Sequence, residues 1–162
     1  MVSTIAESVK NFFFGRDKFN YSRPETAVEG LVLAHELILK LADQIEAHAA
    51  DAPYPHIMRT LRGIATEKLD SAKRLATAIE KLGGKPRLWA GEPKTAKNHW
   101  ERLNLDLQDQ VALDDLLFTL ELKVGETSDI AKMIEELRSR QRSHRQILSD
   151  LIAIADPQAT QT

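Results

Sequence analysis

The sequence predicts an all-α protein, a four-helix bundle built from two antiparallel hairpins that are joined by a long crossover. Prolines and glycines divide the 162 residues into four long segments with no proline beyond the first turn. Within these segments apolar residues recur at the period of an amphipathic helix. Cysteine is absent, which excludes disulfides and thiolate chemistry.

The four helices are expected at residues 24–50, 55–82, 95–123 and 127–155. Their similar lengths of about 40–45 Å, at 1.5 Å per residue, favour a bundle. Short turns between helices one and two, and between three and four, predict antiparallel hairpins.

Local signals mark the helix ends. Pro24 is expected at the first position of helix one, preceded by Ser22 or Arg23. Thr127 or Ser128 is expected to cap helix four.

The connection between helices two and three is much longer, GGKPRLWAGEPK at 83–94, and Gly83 suits the position just after helix two. Twelve extended residues reach about 40 Å, enough to run the length of the bundle. The short-long-short pattern therefore predicts a crossover, with a meandering up-down loop as the alternative.

An N-terminal arm or short helix is expected over residues 1–22, followed by the bundle domain at 23–157 and a disordered tail at 158–162. Four of the five phenylalanines lie in the arm, and Ile5, Val9 and Phe12 are spaced to share one helix face with Phe13. We expect the arm to pack on its own bundle or on a partner molecule, with a membrane contact as the alternative.

Helical wheels place only aliphatic side chains inward on helix one and turn Glu36 outward. On helix two, Lys68 lies near the centre of the apolar face, whereas Glu67 and Asp70 point away and Ser71 lies at the flank. A lysine on a core face requires a partner, or it must extend along its stem to water.

On helix four, Gln141 and His144 interrupt the apolar stripe. Helix three has two candidate stripes, one through Leu103, Leu107, Val111 and Phe118 with Asp114 and Glu121, the other through Leu105, Ala112, Leu113, Leu116 and Leu120. Asp114 is the expected anionic partner of Lys68. The sequence thus predicts a core polar cluster of Lys68, Ser71, Asp114, Gln141 and His144.

Two stretches carry a family resemblance. SAKRLATAIEKLGGKP (71–86) and, more weakly, RQRSHRQILSDL (140–151) resemble the ends of helices two and four in the ferritin-like superfamily, especially small rubrerythrin-like bacterial domains. The resemblance covers helices two to four, roughly residues 57–155.

The resemblance implies a two-iron or two-manganese site held by inward carboxylates and two Glu-x-x-His pairs. At those positions this chain has Lys68 with Ser71, and Gln141 with His144. Iron and manganese prefer carboxylate and imidazole ligands, so we expect a degenerate site without a cofactor. The alternative is an iron or manganese site that uses Glu67, Asp70, Glu121 and His144.

The net charge, the apolar runs and the N-terminal residues bear on the partners and the location of the protein. The net charge of −2 favours neither nucleic acid nor anionic membranes, and no apolar run is long enough for a transmembrane segment. No signal peptide is recognised at the N-terminus, so a cytoplasmic location is expected.

These features favour a non-enzymatic structural or stress-associated protein, a homo-oligomer and preferably a dimer. One alternative is a two-metal oxidoreductase or iron-handling protein, and another is a small-ligand binder with its pocket in the bundle core.

Overall fold

In a computed structural model, residues 26–124 and 128–158 are described. The predicted arm at 1–22 and residues 159–162 of the tail predicted at 158–162 lie outside these residues. Four α-helices make up the bundle, as predicted, and no strand occurs in the described ranges. The helices are α1 (Ala27–Ala50), α2 (Pro55–Lys81), α3 (His99–Val124) and α4 (Asp129–Ile154).

The helix ends follow from local hydrogen bonding. Helix α1 begins three residues later than predicted, because Thr26 and Glu29 form a reciprocal capping box. Ser128 caps α4 by accepting a hydrogen bond from the backbone of Ala131, as expected. Gly83, at φ +80°, ends α2, and the next amide, that of Gly84, donates to the carbonyl of Ile79 at 2.9 Å.

The connection between α2 and α3 is the predicted crossover. It starts beside the first turn of α1, where Gly84 lies against Val28. It ends beside the last turn, where the carbonyl of Lys94 accepts a hydrogen bond from His48 Nε2 at 2.8 Å. The crossover therefore runs the length of α1 and leaves α2 and α3 parallel.

Each helix packs against two others. Helix α1 contacts α2 and α3, and α4 contacts α3 and α2, with the α2–α4 pair the most sparsely packed. An aliphatic core of leucine, isoleucine and alanine fills the interior. No helix in the described ranges is both long and apolar enough to cross a membrane.

Helix α3 faces the core with neither of its two predicted stripes. Most of its buried residues instead follow alternating steps of four and three: His99, Leu103, Asp106, Gln110, Leu113, Leu117 and Leu120. Arg102 and Asp109 are buried beside this stripe. The two central positions of this stripe are the polar residues Asp106 and Gln110, so the apolar periodicity of the sequence does not reveal it. This register brings an amide and a carboxylate into the bundle interior.

Candidate functional site

Lys68 lies at the centre of the bundle with no solvent exposure. Its position on the inner face of α2 follows from the apolar periodicity on either side of it. The side chain does not extend to water. Its Nζ donates to Oε1 of Gln110 at 2.5 Å and to Oε1 of Gln141 at 2.6 Å. A lysine from α2 thus joins a glutamine from α3 to one from α4.

The direct partners of Lys68 are neutral amides rather than the predicted Asp114. The amide nitrogen of Gln110 donates to Asp114 Oδ1 at 3.0 Å and to Gln141 Oε1 at 3.1 Å. Asp114 is therefore one hydrogen bond removed from the lysine. Gln110 was missed from the sequence because the register of α3 was not recognised.

Burial lowers the pKa of Lys68 to about 7, although the negative charges of Asp114, Asp106 and Glu67 oppose this shift. Burial likewise raises the pKa of Asp114, and its hydrogen bond to Gln110 opposes that rise. The centre therefore holds an amine whose charge changes near neutral pH.

His144 is also fully buried, and its Nε2 lies 2.7 Å from Glu67 Oε2. Burial, reinforced by the positive charge of Lys68, lowers the pKa of His144 to about 4. The ring is therefore neutral near pH 7 and donates its Nε2 proton to the carboxylate of Glu67.

Ser71 is buried beside this centre but binds no other member of the predicted cluster. Its hydroxyl donates to the carbonyl of Glu67 at 3.0 Å and accepts from Arg140 at 3.0 Å. Arg140 also donates to Asp70 at 2.9 Å. Ser71 thus belongs to a polar bridge between α2 and α4.

The four residues of the alternative metal site do not come together as one group. Glu67 contacts His144, whereas Asp70 is exposed and pairs with Arg140. Glu121 pairs with Arg138 at the α3–α4 interface. Within residues 26–124 and 128–158, no three histidine, aspartate or glutamate side chains are grouped to hold a metal ion.

A second buried polar cluster, here called the clamp, joins the end of α1 to the start of α3. Gln44 donates to Asp106 at 2.8 Å and to Asp109 at 3.0 Å. His48 Nδ1 lies 2.9 Å from Asp106, and Lys94 Nζ lies 2.9 Å from Asp109. Helix α1 was expected to face inward with aliphatic side chains alone, so Gln44 and His48 correct that interpretation.

Within the clamp, His48 and Asp106 each shift the pKa of the other. Burial lowers the pKa of His48, but the hydrogen bond and charge of Asp106 outweigh it, and the net shift is upward. Burial raises the pKa of Asp106, while His48 and Gln44 favour its ionised form. Since Nε2 donates to the Lys94 carbonyl, a protonated His48 serves two acceptors at once.

Solved structures with the same fold include two bacterioferritins and a ferritin. The bacterioferritin of Rhodobacter capsulatus, determined with a metal-free dinuclear site and a heme iron, has a TM-score of 0.72 at 20% identity. That match covers 82% of this chain and 87% of the bacterioferritin.

Two further solved structures share this fold. The Desulfovibrio desulfuricans bacterioferritin, which has a diiron site, matches with a TM-score of 0.68 at 19% identity over 78% of each chain. The Chlorobium tepidum ferritin matches with a TM-score of 0.69 at 14% identity, over 82% of this chain and 85% of that ferritin.

These likenesses show a ferritin-like four-helix bundle, as the two sequence stretches predict. The sequence matches no protein-family model, and no curated protein is similar enough to count as a relative.

Proposed function

We propose that this protein is a non-enzymatic, ferritin-like structural protein in which a lysine and two glutamines replace a two-metal centre. The observation that supports this proposal most directly is the fully buried Lys68 amine, held between Gln110 and Gln141. The amine links α2, α3 and α4 where a metal pair would otherwise link them.

The donor set at the centre does not fit iron or manganese. Both metals favour carboxylate oxygen and imidazole, but the groups here are an amine, two neutral amides and one imidazole. An amide has the shape of a carboxylate without its charge, and the lysine amine supplies no negative charge to hold a metal cation in either protonation state. The exposed Glu67 and its partner His144 are the part of the site most compatible with a metal, and an iron-handling function would have to depend on them.

Metal analysis tests this proposal. Protein purified without chelator and then incubated with ferrous iron is expected to contain iron far below one ion per chain, measured by plasma mass spectrometry. Stoichiometric iron or manganese, or iron oxidation above the rate in buffer, would instead support the metal-dependent alternative.

A gain-of-function variant sharpens the test. Combining Lys68→Glu, Ser71→His, Gln110→Glu and Gln141→Glu would supply carboxylate and imidazole groups around His144. This variant is expected to bind cobalt(II), seen as visible d–d absorption, while the wild type does not. A variant that folds by circular dichroism but binds no cobalt would show that the central residues do not correspond to a metal site.

The proposed partner is a second copy of the chain, and the proposed location is the cytoplasm. On the outer face of α3, Phe118 is 49% exposed and Leu122 is 71% exposed, one turn apart. Light scattering after size exclusion is expected to show a dimer, and Phe118→Ser with Leu122→Ser is expected to shift it to a monomer. Leu88→Ser, at an 83% exposed crossover residue, is the matched control and should leave the dimer unchanged.

A further inference from the structure

Helices α2 and α4 face each other across an open groove of about 630 Å³. This volume lies within the range of small-molecule sites, about 300–1,000 Å³. Four of the lining residues lie beside the buried centre or next to one of its residues in sequence: Glu67, Ser71, Arg140 and Ser143. The groove therefore lies directly outside the buried centre.

Polar bridges, rather than close packing, hold the two helices together here. Nη1 of Arg140 on α4 donates to Asp70 Oδ2 at 2.9 Å and to Ser71 Oγ at 3.0 Å, both on α2. Arg74 on α2 approaches Glu136 on α4 at 3.7 Å. A groove between sparsely packed helices admits a ligand without disturbing the core.

The charged groups that line the groove differ in how firmly they are bound. The carboxylate of Glu67 accepts from the buried His144, so it is held by that contact. The hydrogen bonds that the structure shows for Arg140 all use Nη1, which leaves Nε and Nη2 to donate to a ligand. Arg74 is 61% exposed and only loosely paired with Glu136.

One part of the groove is apolar. Met133 and Leu137 of α4 line it beside the serine hydroxyls of Ser139 and Ser143. A doubly charged phosphate would lie close to the two lining glutamates and gain nothing from the apolar wall. A singly charged carboxylate with a short aliphatic chain matches both the guanidinium and the wall.

We propose that the α2–α4 groove binds a small aliphatic monocarboxylate, with its carboxylate on Arg140 and its chain against Met133 and Leu137. The groove adjoins the buried Lys68 centre and shares Glu67 with it, but the proposed ligand contacts are Arg140, Met133 and Leu137. The inference therefore does not depend on whether that centre binds metal.

Titration with hexanoate tests the proposal. In ¹H–¹⁵N correlation spectra of the full chain, hexanoate is expected to shift backbone signals of groove residues on α2 and α4 saturably at millimolar concentration. Arg140→Gln is expected to weaken binding at least tenfold, since it removes the charged donor. Ser143→Trp, at an exposed groove position, is expected to abolish binding by filling the space.

Arg142→Gln is the matched control, since Arg142 is an exposed arginine of α4 that does not line the groove, and its affinity should equal that of the wild type. Circular dichroism and melting temperature establish that each variant is folded. Equal binding by Ser143→Trp and wild type, shifts located elsewhere, no saturation at tens of millimolar, or equal shifts with inorganic phosphate would each overturn the proposal. Metal removal with chelator is expected to leave hexanoate binding unchanged.

Discussion

At the scale of single residues, the protonation state of the buried Lys68 determines whether hydrogen bonds or charge hold the centre together. A neutral amine has two N–H donors, which match the two amide oxygens that surround it, whereas an ammonium has a third proton to satisfy. Complete burial also disfavours the charged form. These two effects agree with a pKa lowered to about 7, so the centre is held by hydrogen bonds more than by charge.

The lowered pKa of Lys68 predicts a pH-dependent stability. In the unfolded chain the lysine titrates near 10.5, so between pH 7 and 10.5 the unfolded state binds more protons than the folded state. The free energy of unfolding contributed by this group therefore rises with pH across that window, by up to about 1.4 kcal/mol per pH unit.

Urea denaturation at pH 7.5, 8.5 and 9.5 measures this dependence. The free energy of unfolding of the wild type should rise with pH relative to that of Lys68→Met, because methionine has no proton to lose. Lys73→Met, at an exposed lysine on the same helix, should retain the wild-type slope. Parallel slopes in wild type and Lys68→Met would show that Lys68 stays charged in the folded protein.

At the scale of elements, the close approach of α1 and α3 depends on Gly30. A Cβ atom at this position would overlap Leu120 Cδ2, and Leu120 is fully buried. Gly63 on α2 provides the contrast, because it is exposed and an added Cβ would meet no atom from elsewhere in the described part of the chain within 4 Å.

The two glycines therefore predict opposite effects of the same substitution. Gly30→Ala is expected to lower the free energy of unfolding by about 1–3 kcal/mol, because the added methyl overpacks the α1–α3 contact. Gly63→Ala is expected to raise it by up to about 1 kcal/mol, since alanine favours the helix interior and meets open space. Chemical denaturation of both variants measures the difference, and a gain in stability for Gly30→Ala would contradict the close α1–α3 packing.

At the scale of the whole molecule, the clamp fastens the crossover to the bundle. His48 connects the backbone of Lys94 in the crossover to Asp106 on α3, and Gln44 adds a second link from α1 to Asp106. One end of the long connection is thereby fixed where α3 begins. The clamp thus helps to keep α2 and α3 parallel.

The raised pKa of His48 predicts that this fastening weakens at high pH. A group whose pKa is raised on folding contributes stability that is complete below its unfolded value near 6.5 and is lost as pH rises through the folded value. His48→Phe leaves Asp106 without its cationic partner and is expected to cost roughly 3 kcal/mol at pH 6.

Denaturation at pH 6 and pH 9 tests this expectation, and the cost of His48→Phe should be smaller at pH 9. His56→Phe, at an exposed histidine in the first turn of α2, should change stability little at either pH. An equal cost for His48→Phe at both values would show that folding does not raise the pKa of His48.

Much of the architecture was predictable from the sequence. Proline and glycine positions, together with the apolar period, predict four helices, two hairpins and a crossover, because these signals act within short stretches of chain. The same periodicity places Lys68, Gln141 and His144 on inward faces, since α2 and α4 have continuous aliphatic stripes on either side of these residues.

Only the tertiary structure decided which polar groups meet. Gln110 and Asp106 lie on a stripe of α3 that is polar at its centre, so no apolar pattern marks it. Their burial is favourable only because partners on other helices, Lys68, Gln44 and His48, supply hydrogen bonds across the bundle. A single helix carries the information for its own period, but the partner of a buried polar side chain is determined by how the helices pack.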